Sequence, residues 1–208
     1  MSTLRELCGG TLVIATHNPG KLREFRRLLR PLGARLVSAG ELGLAEPTET
    51  GASFAEDARI KALAAARGAA LPALADDSGL TLRGLDGAPG THSARWAGPE
   101  RDYARAMRRV YDALCARFGS FDEADRHAAF VCVLALAWPD GRLWLFEGRV
   151  EGEIVWPPRG EGGFGYDPIF RPQGEARTFA EMSAEEKGRF SHRGRAVEAL
   201  LEAVHADP

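Results

Sequence analysis

Lysine is scarce in this chain of 208 residues. Of its 27 basic residues, 24 are arginine and three are lysine: Lys21, Lys61 and Lys187. A chain with that bias places arginine wherever a generic surface cation will serve. The surviving lysines then mark positions where a compact, flexible ammonium is wanted. Cysteine is scarce too. Cys8, Cys115 and Cys132 are far apart and odd in number, with no CxxC or Cys/His cluster. That excludes a disulfide miniprotein and predicts reduced thiols in a cytoplasmic protein. Long apolar runs are absent. The longest run free of Asp, Glu, Lys, Arg and His, Ala128 to Pro139, has 12 residues. A membrane-spanning helix needs about 20, so no membrane partner is expected. Arg5 and Glu6 precede the first apolar run, which does not read as a signal peptide. A strong charge of one sign is also missing. The formal net charge is −2, which argues against nucleic acid as a partner and still allows a local basic pocket.

What remains is an ordinary globular composition, 45% hydrophobic and 27% charged. The length suffices for one substantial core or for two lobes sharing a cleft. Thr11 to Ala15 reads as a buried strand. Leu22, Phe25, Leu28, Leu29 and Leu32 recur at helical spacing, with arginines on the other face, and Pro31 and Gly33 close that helix. Ala34 to Ala39 reads as a second strand. Ser53 with Glu56 is a capping-box pattern opening an Ala-rich helix to about Ala70. Pro72 to Ala75 reads as a third strand, ending in Asp76-Asp77-Ser78-Gly79. A glycine-rich loop covers Gly84 to Gly98. Pro99 or Glu100 to Phe118 reads as the next helix, with Tyr103, Met107, Val110, Leu114 and Phe118 on one stripe. Ala128 to Trp138 and Arg142 to Val150 form a hairpin around Pro139-Asp-Gly141, continued by Glu151 to Val155. Gly160 to Asp167 is a second glycine-rich loop. A short helix follows Ser183, and a last one runs from Ser191-His-Arg193 to about Ala206. Early strand–helix alternation and a late hairpin predict an α/β fold with a mixed, twisted sheet flanked by helices.

Four stretches could do chemistry. Thr16 to Lys21 joins a strand to a helix, and a helix N-terminus presents unpaired N–H groups that suit phosphate. It lacks Walker A spacing. Asp76 and Asp77 are adjacent carboxylates that repel unless a cation or proton neutralises them. Magnesium is the usual solution, and Glu46 and Glu49 could complete its site; the alternative is an Asx turn that stops the strand. Gly162 to Pro168 could present Phe164 to a flat ligand, with Asp167 accepting from ring N–H groups, or be a tight loop on a core aromatic. Lys187 with Ser191-His192-Arg193 is an anion or carbonyl clamp, or a helix start near solvent. No nucleophile–base–orienter triad is visible. Together these supply the parts of a nucleoside triphosphate site.

These residues resemble the inosine/xanthosine triphosphate pyrophosphatase family. The matching stretches are Ala15 to Lys21, Glu49-Thr-Gly51 with Ser53-Phe54, and Ala75 to Leu80. They continue through Gly87 to Gly90 with Ser93-Ala-Arg95, Gly162 to Phe170, Glu186-Lys187, and Ser191 to Gly194. The resemblance implies a single domain over residues 1–208 with an elongated mixed α/β fold, two lobes and a central substrate cleft. It implies a cytoplasmic homodimer that hydrolyses ITP, dITP and XTP with Mg²⁺ to the monophosphate and pyrophosphate. Thr16, His17, Asn18, Pro19, Gly20 and Lys21 would hold the triphosphate, with Lys61 near it. Glu49 and Asp77 would hold Mg²⁺, and Asp77 would position or deprotonate the attacking water. Ser78 would touch substrate. Phe164, Gly165, Tyr166 and Asp167 would bind the base, completed by Lys187, His192 and Arg193. All three lysines thus fall on implied substrate positions. The chain departs from the family at Asp57, where an Asn is usual, a near-isosteric change that adds a charge.

Phosphoryl transfer of this kind rests on positioning and charge neutralisation. A 6-oxo purine would accept from Arg193 or His192, where adenine would leave those donors unpaired at about 1–3 kcal/mol each. Two other functions fit the same parts. One is a broad phosphatase releasing phosphates singly, and the other is a nucleotide sensor without turnover.

Overall fold

A computed structural model describes residues 4–207. The sheet has six strands in the order β2-β1-β3-β4-β5-β6. They are β1 (Thr11–Ile14), β2 (Arg35–Ser38), β3 (Ala73–Leu82), β4 (His127–Ala137), β5 (Leu143–Ile154) and β6 (Phe170–Pro172). The helices are α1 (Pro19–Leu28), α2 (Phe54–Ala69), α3 (Ser93–Trp96), α4 (Tyr103–Phe118), α5 (Ala184–Phe190) and α6 (His192–Ala206), with short 3₁₀ turns between. β1 pairs in parallel with β2 and β3, and β5 pairs antiparallel with β6. The expected mixed α/β architecture is therefore present.

The chain forms two compact units. Among the described residues, the first comprises 4–77, 132–148 and 193–207. Its core has two layers, sorted by strand parity. On β1 and β4, Leu12, Ile14, Cys132, Leu134 and Leu136 join Leu74 of β3 in one buried cluster with Phe25 of α1 and Val197 and Leu200 of α6. The alternate residues Val13, Ala73, Ala75, Val133, Ala135 and Ala137 meet Ala58, Ala62, Ala65 and Ala66 of α2. Successive strand side chains point to opposite faces, so one sheet separates a bulky layer from an alanine-rich one. Small side chains on that second face let α2 lie close to the strands.

The second unit comprises residues 78–131 and 149–192. Leu80 and Leu82 of β3, Phe130 of β4 and Val150 and Ile154 of β5 pack with Met107, Val110 and Leu114 of α4 and with Ile169, Phe170 and Phe179. The predicted α4 stripe is the one that is buried, with Tyr103 and Phe118 packed at its ends. Asp102 caps α4 by accepting from the Arg105 N–H at 3.0 Å, so the helix starts at Tyr103 and not at Pro99 or Glu100 as expected.

The third strand departs from expectation. It does not stop at Ala75 but runs on through Asp76, Asp77, Ser78 and Gly79 to Leu82. The acids are tolerated mid-strand because each has a cation on its own face, as described next. An Asx turn at this point is therefore excluded. Within the glycine-rich segment 84–98, the chain folds into 3₁₀ turns and α3 rather than open loop. Among the described residues, no helix is long and apolar enough to cross a membrane.

Candidate active site

The first unit holds the implied phosphate and metal residues. Asp76 has the parity of Leu74 and faces α1 and α6. Asp77 has the parity of Ala75 and faces α2. Each meets a cation there. Lys21 Nζ of α1 lies 3.0 Å from Asp76 Oδ2, and Arg193 of α6 donates to the same oxygen at 2.8 Å. Lys61 Nζ of α2 donates to Asp77 Oδ1 at 2.8 Å and to Glu49 Oε1 at 2.9 Å. The cations that neutralise the acid pair are thus the protein's own.

Burial and charge act in opposite directions on these groups. Burial works against the ionised form of Asp76, but Lys21, Arg193 and Lys61 outweigh it and hold the carboxyl well below the usual range. Burial dominates at Asp77 and pushes its carboxyl up to about 6, against the pull of Lys61 and Lys21. Burial also opposes the Lys61 ammonium, yet Asp77, Asp76 and Glu49 keep it protonated beyond its ordinary range.

Asn18 caps α1, and its Oδ1 accepts from the Gly20 and Lys21 N–H groups at 2.8 and 3.3 Å. Thr16 Oγ1 accepts from the Asn18 N–H at 3.1 Å. Pro19 has no N–H. The expectation of open amides at this helix start is corrected: Asn18 already occupies two of them. The cationic side chain of this loop is Lys21, which is paired with Asp76. Thr16 is buried and His17 exposed. His17 lines a hollow of about 20 Å³ with Lys61, Glu46, Ala15 and Pro47. That space is about one water in size. Glu46 is exposed and Glu49 half-buried; it is Glu49 that reaches Lys61.

Among the described residues, no group of three or more His, Cys, Asp or Glu side chains could by itself hold a metal ion. The pair Glu49 and Asp77 still suits Mg²⁺ chemically. Both carboxylates already share one cation, the Lys61 ammonium. Mg²⁺ needs only one or two carboxylates when phosphates and waters supply the rest.

The second unit holds the implied base residues. Asp167 is 1% exposed. Its Oδ2 accepts from the Phe164 N–H at 2.7 Å and from Lys187 Nζ at 2.6 Å. This oxygen organises the loop. Lys187 Nζ lies 4.5 Å from the centroid of the half-buried Phe164 ring. Tyr166 turns inward, 2% exposed, and donates to the Ser93 carbonyl at 2.9 Å. It serves as an anchor, with Gly165 beside Tyr103. His192 is not near solvent: its ring, 4% exposed, stacks on Phe130 with centroids 4.7 Å apart. Ser78 is half-buried on β3. Ser183 and Glu186 form a capping box that starts α5 and so places Lys187.

Arg193, expected in the purine pocket, has its guanidinium in the first unit. It is 1% exposed, bonded to Asp76 and Glu24 and lying over Phe25. Glu24 escaped sequence reasoning. Its signal is that it is the sole acid of α1, among four basic residues. A larger hollow of about 730 Å³ in the second unit, lined by Arg83, Asp125, His127 and Arg171 among others, contains none of the implied site residues.

The profile of the Ham1 family matches residues 12–203. A Bradyrhizobium protein named dITP/XTP pyrophosphatase is 54% identical, over 97% of this chain and 97% of its own. A Rhodopseudomonas palustris protein of the same name is 56% identical, over 93% and 95% respectively. The solved structure of a HAM1 protein from Coxiella burnetii superposes with a TM-score of 0.85 at 42% identity, covering 94% of this chain and 98% of that one. The sequence resemblance, the layered sheet and the paired carboxylates thus converge, and the chain belongs to the Ham1 family.

Proposed function

We propose that this protein hydrolyses nonstandard purine nucleoside triphosphates, ITP, dITP and XTP, to the monophosphate and pyrophosphate. One observation carries the reading. In a chain 54–56% identical to proteins named dITP/XTP pyrophosphatase, Glu49 and Asp77 meet at a single ammonium, that of Lys61. The first unit's groups bind the triphosphate and the metal. Lys21, with Thr16, His17, Asn18, Pro19 and Gly20 around it, takes phosphate oxygens. Phe164, its half-buried ring beside the Lys187 ammonium, binds the base, and His192 completes the base-binding set.

Glu49 and Asp77 would hold Mg²⁺, which when bound offsets negative charge on the phosphates. Asp77 orients a water toward the α-phosphorus and takes its proton. The new bond joins that water oxygen to the α-phosphorus. The bond from the α-phosphorus to its bridging oxygen breaks, and pyrophosphate leaves with the electron pair. Lys21 and Lys61 offset the charge that builds on the departing oxygens. The free thiols of Cys8, Cys115 and Cys132 support a reducing, cytoplasmic setting. The family resemblance supports a homodimer, which sedimentation would test.

The deciding experiment is product analysis with Mg²⁺ on ITP, dITP, XTP, GTP and ATP. Monophosphate and pyrophosphate from the first three are expected. Diphosphate and free phosphate would move the cut to the terminal phosphate and favour a general phosphatase.

A further inference from the structure

Glu49 stands outside any helix or strand, in the segment between β2 and α2. Something must hold its carboxylate against Lys61. The segment from Gly51 to Ser53 is tied to the first turn of α2 by three contacts. Asp57 Oδ1 accepts from the Gly51 N–H at 2.8 Å. Glu56 Oε2 accepts from the Ala52 N–H at 2.6 Å. Ser53 Oγ accepts from the Glu56 N–H at 3.3 Å. Of the two acids, Glu56 lies at an exposed contact, whereas Asp57 is 2% exposed.

The packing at Gly51 is as tight as the bonding. A Cβ there would lie 2.7 Å from Asp57 Oδ1, 2.7 Å from Glu56 Cβ and 2.9 Å from the Asp57 nitrogen. No side chain fits, so the backbone at 51 rests directly on Asp57. Lys61 is one helical turn further along the same helix, i+4 from Asp57. It holds Glu49 two residues before Gly51. Asp57 and Lys61 thus grip a three-residue stretch of chain from one helix face.

We infer that Asp57 is a positioning residue for Glu49: by accepting from the Gly51 N–H, it fixes the backbone that aims the Glu49 carboxylate. This rests on the reading of Glu49 as a metal-holding group. The bond needs an acceptor oxygen and not a charge, so an amide at this position serves equally.

The test uses the full chain with α,β-methylene inosine triphosphate, and Mn²⁺ affinity read by paramagnetic resonance. Asp57→Ala should weaken Mn²⁺ binding about tenfold, while Asp57→Asn restores wild-type affinity. Wild-type affinity in Asp57→Ala overturns the inference. So does an equal loss in both variants, which would make the charge the active feature. Glu49→Gln is the control: if it binds Mn²⁺ as wild type does, the metal reading of Glu49 fails instead. Should Asp57→Ala not fold, hydrogen exchange of the Gly51 amide in the wild-type protein decides. Protection supports the inference, and exchange at the rate of a free loop amide overturns it.

Discussion

Asp76 and Asp77 are neighbours in sequence but face opposite sides of β3. Asp76 shares an oxygen between Lys21 and Arg193, while Asp77 is met by Lys61. The alternation of a strand converts an unfavourable pair of adjacent carboxylates into two separate ion clusters, one per helix layer. The same two residues should therefore fail differently when changed. Asp77→Asn is expected to keep the fold and nucleotide binding but to lose turnover by about 10²–10⁴-fold, the scale of a lost general base. Asp76→Ala should instead lose about 3–5 kcal/mol of stability, because it removes the carboxylate that the buried Arg193 and the half-buried Lys21 share. Urea midpoints and single-turnover rates measure both. A larger stability loss in Asp77→Asn than in Asp76→Ala would contradict the assignment of faces.

Arg193 provides a second separation. Its guanidinium spans Glu24 and Asp76 with almost no exposure. Lysine retains the charge but not the fork that reaches two acids at once. Arg193→Lys should lower the urea midpoint in the absence of any nucleotide, and Arg193→Ala should lower it further, by about 3–5 kcal/mol. Unchanged stability in both, with ITP binding alone impaired, would show that the network is dispensable and that base contact is the residue's role.

Much of this arrangement was legible in the sequence. Apolar periodicity located β1, α1, α4 and the hairpin, since burial imposes a period of 2 on strands and 3.6 on helices. The scarcity of lysine pointed at Lys21, Lys61 and Lys187, and all three carry buried or half-buried ion pairs. Periodicity could not extend β3 through Asp76 and Asp77, because acids in mid-strand are tolerated only when distant cations face them. Lys61 and Arg193 lie 16 and 117 residues away from their acids. Nor does residue type alone show that Asp167 and Tyr166 are satisfied internally. A polar side chain in a glycine-rich loop looks the same whether it awaits a ligand or braces the loop. The partners Phe164 N–H and Ser93 carbonyl are backbone groups, which leave no mark in the sequence.

That bracing makes Gly163 sensitive. It sits at φ +70°, and a Cβ there would come 2.1 Å from Asp167 Oδ2. Gly163→Ala therefore meets both an unfavourable backbone conformation and the oxygen that binds Phe164 and Lys187. The expected result is a rise in KM for ITP of roughly tenfold, the counterpart of about 1.4 kcal/mol, with kcat changed less. The cause would be that the loop presenting Phe164 is displaced while Glu49, Asp77 and Lys61 are not. A fall in kcat at constant KM would show instead that this loop acts on the chemical step.

The capping box of α5 predicts a pH signature. The Glu186 carboxyl is drawn down from its ordinary 4.5 to about 2, first by the Ser183 N–H and then by the Ser183 hydroxyl and Arg177. A depressed carboxyl contributes stability that is fully present above its unfolded pKa and is lost as pH falls through the folded one. The contribution of Glu186 should hence be complete above about 4.5 and fade between there and about 2. Glu186→Gln retains an acceptor for the cap but has no charge to lose. The wild-type protein should show better protected α5 amides than Glu186→Gln at pH 7. The difference should shrink steadily as pH drops below 4.5, the carboxyl's ordinary value. Because α5 carries Lys187 against Asp167, fraying of this helix should raise KM for ITP in Glu186→Gln already at neutral pH. A protection difference that grows toward acid would reverse the sign required by a depressed pKa, and the capping carboxylate could then not be what holds this helix start.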